Sequence, residues 1–288
     1  MSARRTAILF FTHTFDPVAL RHLDKLRTEA SGYGTLFVLN DGTTPIPERI
    51  RDLRHVFRFP ELQAKYPKRL GTTLIPGNTH LAFIDFCEAH PEFEQIWVIE
   101  YDVWFSGSWA LLFEDFRDVA ADLIACHLRT REAEPAWHWW RTLSAPRNEA
   151  VPPALRAFLP IHRISRRALL HVRDRMLAGW SGHGEVLSPT LIAAAGMTLA
   201  DLAGDRGYYT STNLGSGGLL GLGTMRYRPA HLWYGLQRNK LYHPVKQRTP
   251  SRVLATLRET SRFWYSQVVE HRLRYVLEHV HDRLRSPR

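Results

Sequence analysis

Residues 95–109 read QIWVIEYDVWFSGSW, and this stretch decides the fold class. Ile96, Trp97, Val98 and Ile99, with Val103 beyond, form an apolar run closed by Ser106, Gly107 and Ser108. A short apolar run ended by turn residues is the pattern of a strand buried on both faces, as in a parallel sheet. Two carboxylates interrupt it, Glu100 and Asp102. An unpaired carboxylate in a dry site is costly, so such a pair implies something cationic beside it. Alternation along an extended chain puts residues 100 and 102 on one side, at the strand's end. In open α/β sheets ligands bind at that edge. The plainer reading is that the pair caps the next helix or meets an Arg.

Outward from this strand, the first two thirds of the chain alternate strand and helix patterns, which predicts an α/β sheet, mostly parallel and flanked by helices. Strands are expected at 6–11, 35–39, 55–59, 96–103 and 121–127, with a strand running into a helix over 161–176. Helices are expected from Asp16 to about 29, from an Asn78 cap to 89, over 109–116, and from Ser188-Pro189 to 195. Residues 60–79 read as loop, and 130–160 as a long irregular segment rich in Trp and Pro. Residues 1–250 are expected to form one nucleotide-binding and catalytic domain. Residues 251–288 are expected to add a basic amphipathic C-terminal helix.

The chain has 288 residues and a formal net charge of +10. That field favours anionic partners. The excess is mostly Arg spread along the chain, with no finger, RNP-like motif or Lys-rich arm, so nucleic acid is not the expected partner. Both cysteines, Cys87 and Cys126, sit in apolar contexts with no metal-site spacing and read as buried thiols in a reducing compartment. No run approaches the ~20 apolar residues of a spanning helix, and the short apolar run after Arg4-Arg5 is broken too early for a signal peptide. A cytoplasmic protein is expected, with residues 251–288 either packed on the domain or lying on an anionic membrane.

Four further features can carry chemistry. Glu185, in Gly182-His183-Gly184-Glu185, is either a base for a substrate hydroxyl or a first-turn acid satisfying a helix dipole. His243, in LYHPVK, can complete a metal site with Asp102, and Lys246 can neutralise a phosphate. Thr12, His13 and Asp41 close the first two strands, where a nucleotide pocket forms in a doubly wound sheet; Asn40-Asp41-Gly42 is also an ordinary turn. Trp137, Trp139, Trp140 and Trp180 are candidates for a sugar-stacking platform, or for plain core. The glycines at 215–223 contain neither a dinucleotide fingerprint nor a P-loop and read as a tight turn near the site.

With these residues in order, the chain resembles the GT-A class of nucleotide-sugar glycosyltransferases, in particular bacterial and fungal members with a W-x-x-E-x-D-V strand. Here that strand is Trp97-Val98-Ile99-Glu100-Tyr101-Asp102-Val103, and the layout agrees over about residues 5–247. The resemblance implies a GT-A-like Rossmann-type sandwich that uses a nucleoside-diphosphate sugar and a glycan or lipid-linked acceptor. It implies a divalent ion, Mn²⁺ or Mg²⁺, held by Asp102 and His243, with Glu185 as the acceptor-side acid. Glu100 stands where the commonest pattern has Asp, which assigns it to the ribose or to a metal-bound water. Members of this class without a metal use basic residues, so metal dependence stays open. A nucleotidyltransferase would carry a basic Gly-rich loop after the first strand, where this chain has Thr12-His13-Thr14-Phe15. A non-catalytic module binding anionic glycans is the other alternative.

Overall fold

Seven strands form the central sheet of the computed structural model, which describes residues 5–210 and 223–264, in the order β3-β2-β1-β4-β7-β6-β8. β1 (Thr6–Phe11), β2 (Thr35–Asn40), β3 (Arg54–Val56) and β4 (Gln95–Glu100) run parallel. β6 (Leu123–Thr130) and β8 (Leu199–Asp201) are parallel to each other, and β7 (Leu155–Ser165) lies antiparallel between β4 and β6. The acidic strand β4 is therefore the middle of the sheet. Its residues 95–99 are all buried, as its apolar run requires.

Alternation sorts the side chains into two cores. Ala7, Leu9 and Phe11 of β1 join Ile96 and Val98 against α3 (Thr79–Ala89), α5 (Arg166–Leu177) and α6 (Gly184–Ala194). Ile8, Phe10, Trp97 and Ile99 point the other way, against α1 (Pro17–Glu29) and α4 (Trp109–Phe116). The result is a sheet sandwiched between helix layers, an α/β arrangement compatible with a Rossmann-like fold. A separate two-stranded ribbon joins β5 (Trp104–Phe105) to β9 (Leu241–Tyr242), pairing Trp104 with Tyr242 and Phe105 with Leu241.

Asp16 caps α1, its Oδ1 accepting from the Val18 and Ala19 amides at 2.9 Å each, with Pro17 suited to the first turn. Several expectations need correction. Asn78 occupies the cap position of α3 without capping it: its side-chain amide donates instead to the Leu70 and Thr73 carbonyls, pinning the preceding loop. The third strand stops at Val56, and Phe59 opens a helix unforeseen in the sequence, α2 (Phe59–Lys65); Pro60 suits its first turn rather than marking a loop. α6 begins at Gly184, not Ser188. His183 caps it, accepting from the Glu185 amide at 3.3 Å, and Pro189 sits inside, removing only the bond the Glu185 carbonyl would have received. β8 was also unforeseen. The described part of the expected C-terminal helix is α7 (Pro250–Trp264). Residues 1–4, the glycines at 215–222 and residues 265–288 lie outside the described residues. Among the described residues no helix is long and apolar enough to cross a membrane.

Candidate functional site

The strand order turns back between β1 and β4, and the carboxyl ends of β1, β2 and β4 open there into a cavity of about 450 Å³. Thr12, His13, Asp41 and Glu100 all line it, so the structure brings together these four residues named from the sequence. Phe11, Thr43, Thr44, Phe57, Leu74, Ile75 and Tyr101 complete the wall. Some of the polar groups are already engaged. The Thr12 hydroxyl donates to the Thr14 carbonyl at 2.5 Å, and Asp41 Oδ1 accepts from the Thr43 amide and hydroxyl at 3.0 and 2.7 Å. The turn reading of Asp41 thus holds for one oxygen while the residue still faces the cavity. His13 is exposed and sets its ring edge-on to Tyr101 at 4.8 Å.

Glu100 and Asp102 do meet, but not by strand alternation. β4 ends at Glu100, and a turn closed by the Val103 amide on the Glu100 carbonyl at 2.9 Å carries the chain round to Asp102. The turn is tied on two further sides: the Tyr101 amide donates to the Phe11 carbonyl at 2.9 Å, and His22 of α1 pairs with the Tyr101 carbonyl at 2.8 Å. The β5–β9 ribbon then delivers His243. Because Trp104 pairs with Tyr242, the next residue arrives beside Asp102, and the Val245 amide locks to the Asp102 carbonyl at 2.7 Å.

In the resulting cluster His243 Nε2 lies 3.4 Å from Asp102 Oδ1 and 3.8 Å from Glu100 Oε2, and Lys246 Nζ lies 3.5 Å from Asp102 Oδ2. Glu100, Asp102 and His243 each offer a ligand atom, all within 4.8 Å of one another, the one such group among the described residues. Glu100, assigned from the sequence to the ribose or a bound water, thus shares the metal-competent cluster. Burial pushes the Glu100 carboxyl up to about 7, and the neighbouring Asp102 charge adds to it. Burial would do the same to Asp102, but the positive charges of His243 and Lys246 hold it below the usual range. Burial opposes charge on His243 as well; Asp102 and Glu100 outweigh it and hold the imidazole above its ordinary value.

His243 Nδ1 lies 2.6 Å from the Arg226 carbonyl. A carbonyl only accepts, so Nδ1 carries the proton and a neutral ring turns its Nε2 lone pair toward the carboxylates. Hard oxygen donors with one imidazole suit Mn²⁺ or Mg²⁺. Asp102 Oδ1 is buried without a hydrogen-bond partner, an orphan that a cation would satisfy. The donor set therefore fits a divalent ion.

Glu185 lies in the first turn of α6, so the first-turn reading of its position is correct. It is nevertheless buried: Oε1 accepts from the Leu159 amide at 3.4 Å, and Oε2 has no hydrogen-bond partner. Burial pushes its carboxyl up to about 8, against a downward pull from Arg156 and with an upward contribution from Glu100. Leu159 neighbours Phe158, whose ring packs on His243 at 5.2 Å. One segment of β7 thus touches both Glu185 and the acid–histidine cluster.

The tryptophans are placed differently. Trp180 is buried in the core beneath Arg175, with its indole N–H on Glu149 at 3.2 Å. Trp137 is buried against Trp140 and beneath Arg156. Neither ring offers an open face, so both belong to the packing. Trp139, half-buried, stacks on His183 at 4.5 Å. The sequence did not single out Phe158, Arg156 or Arg226 because their roles come from a reversed strand and a backbone carbonyl. For Tyr101 the signal was available: it stands between the two acids.

Comparison with models of known protein families gives no match, and no curated protein has a significantly similar sequence.

Proposed function

We propose that this chain is a glycosyltransferase of GT-A type, moving a sugar from a nucleoside-diphosphate donor to an acceptor hydroxyl with inversion at the anomeric carbon. The observation that carries the reading is the convergence of Glu100, Asp102, His243 and Lys246 at the rim of the central strand, where Glu100 also lines the cavity at the sheet's turning point. A nucleoside fits the space between Thr12, His13 and Asp41, where Tyr101 and Phe57 supply flat surfaces.

Asp102 and His243, joined by Glu100, would hold a divalent ion. Such an ion, when bound, neutralises charge on the diphosphate leaving group. Lys246 adds a positive charge on the same side. Glu185 accepts the proton of the acceptor hydroxyl; the oxygen forms its bond to the anomeric carbon as the bond to the diphosphate breaks. A carboxyl raised to about 8 suits that task, because a base is most effective with a pKa near the working pH. The absence of a basic loop after β1 favours this reading over a nucleotidyltransferase. Two buried free thiols, Cys87 and Cys126, support the proposed cytoplasmic location.

Release of UDP or GDP from the corresponding sugar nucleotides, with Mn²⁺ supplied, tests the reading. Asp102→Asn and Glu185→Gln should each lose most of the transfer activity. Full activity in both would remove these assignments, and a product of retained configuration would remove Glu185 as the base.

A further inference from the structure

A second cavity, of about 280 Å³, lies between the first turns of α7 and two segments, 227–232 and 244–248. Its charge is unbalanced: Arg228, Lys246, Arg248 and Arg252 line it with a single acid, Glu259. That acid neutralises little. Its contact with Arg228 is 3.8 Å long, and both side chains are well exposed to solvent. The Arg248 guanidinium donates to the Leu232 carbonyl, which leaves its charge uncompensated. The α7 amino end, where the Arg252 amide donates to Thr249 Oγ1 at 3.3 Å, adds its positive dipole. Ala230, Leu232, Pro244, Val253 and Ala255 give the wall an apolar part, beside His231, Gln247 and Thr256. Apolar residues continue at the surface nearby: Trp233 is 69% exposed, and Leu254 and Leu257 of α7 about half.

The cavity adjoins the site already described. Lys246 lines it and also reaches Asp102 at 3.5 Å. Glu100 and Tyr101, in the same turn as Asp102, line the larger cavity. The two cavities therefore flank the turn that carries the acids. Several guanidinium groups beside an apolar wall match a ligand with a phosphate head and a hydrocarbon body.

We propose that this second cavity binds the phosphate head of an amphiphilic acceptor. The anion site stands on the cavity itself; its assignment to the acceptor rests on the glycosyl-transfer reading above.

Calorimetric titration of the full chain with octyl phosphate, below its micelle-forming concentration, tests this, with octyl glucoside and inorganic phosphate as comparators and UDP with Mn²⁺ titrated separately. Octyl phosphate should bind at least about tenfold more tightly than either comparator. The double variant R228Q/R252Q should lose about tenfold or more, the scale of one charge-assisted hydrogen bond. A255W, which fills the cavity without changing charge, should lose binding as well. UDP binding should persist in both. Octyl phosphate binding no tighter than octyl glucoside, or unchanged in both variants when their melting curves show them folded, would overturn the site. Inorganic phosphate binding as tightly as octyl phosphate would overturn its assignment to an amphiphile. Wild-type protein that takes octyl phosphate but no UDP would sink the glycosyl-transfer reading while the anion site stands.

Discussion

Glu185→Gln should make the protein more stable at alkaline pH even as it removes activity. The Glu185 carboxyl sits at about 8 when folded, against an ordinary value of 4.5, because burial disfavours its charged form. Below pH 4.5 both folded and unfolded chains hold the proton, and the group contributes nothing. Between 4.5 and 8 the unfolded chain releases the proton and the folded one keeps it, so stability falls as pH rises. Above 8 both are ionised and the penalty is complete. At 1.36 kcal/mol per unit the ceiling is about 5 kcal/mol, and relaxation around the site brings a realistic value to roughly 2–3 kcal/mol. Gln is neutral throughout and avoids the penalty. Arg156 is not stranded by the change, since Glu134 holds its Nε at 2.5 Å. Melting curves of both proteins from pH 4 to pH 9 should therefore coincide at the acid end and separate by roughly 5–10 °C at the alkaline end. A gap independent of pH, or a variant less stable than wild type at pH 9, would refute the claim that this carboxyl is held neutral by burial.

Three other outcomes are expected. His243→Ala should weaken Mn²⁺ binding in the presence of UDP by roughly tenfold or more, read as the loss of metal-dependent thermal stabilisation; undiminished stabilisation would take His243 out of the ligand set. Gly184→Ala should cost about 1–3 kcal/mol in urea unfolding, because the added Cβ would lie 2.6 Å from His80 Nδ1, a fully buried ring with little room to retreat. Asp122 is held at about 2, chiefly by its hydrogen bond from Arg167 and also by Ser165, despite an opposing burial effect. Its contribution is present above pH 3.8 and disappears as pH falls through 2. Asp122→Ala should cost about 2 kcal/mol or more at pH 7 and flatten the acid limb of the stability curve, a loss that urea titrations at pH 7 and pH 3 would measure.

Local pattern was enough for much of this fold. The strand at 6–11, the helix at 109–116 and the buried acidic strand follow from apolar runs and turn residues whose meaning does not depend on distant partners. What was misread depended on neighbours. Pro189 marks a helix start only when nothing earlier can cap the helix, and His183 with Gly184 does so five residues sooner. Asn78 looks like a cap, yet the carbonyls of Leu70 and Thr73 compete for it and win. The acid pair was legible as a pair, although the turn that joins it was not. His243 could be named from its company in LYHPVK, but only the ribbon between β5 and β9 places it against Asp102. Trp137 and Trp180 could not be told from sugar platforms by residue type alone; their burial settles where their rings go.

β7 runs against its neighbours, and this has a consequence for how the molecule can diversify. Its partners on either side, β4 and β6, leave the sheet at the rim where the acids stand, whereas β7 enters there, with Leu159 and Phe158 in its opening residues. The long connection before it, residues 131–154, is thereby anchored at the mouth of the site rather than at the far edge. Lengthening or rewriting that connection would reshape what approaches Glu185 while the register of β1, β2 and β4 stays untouched. On the glycosyl-transfer proposal, acceptor choice and donor grip would be housed in separable stretches of chain, free to change at different rates.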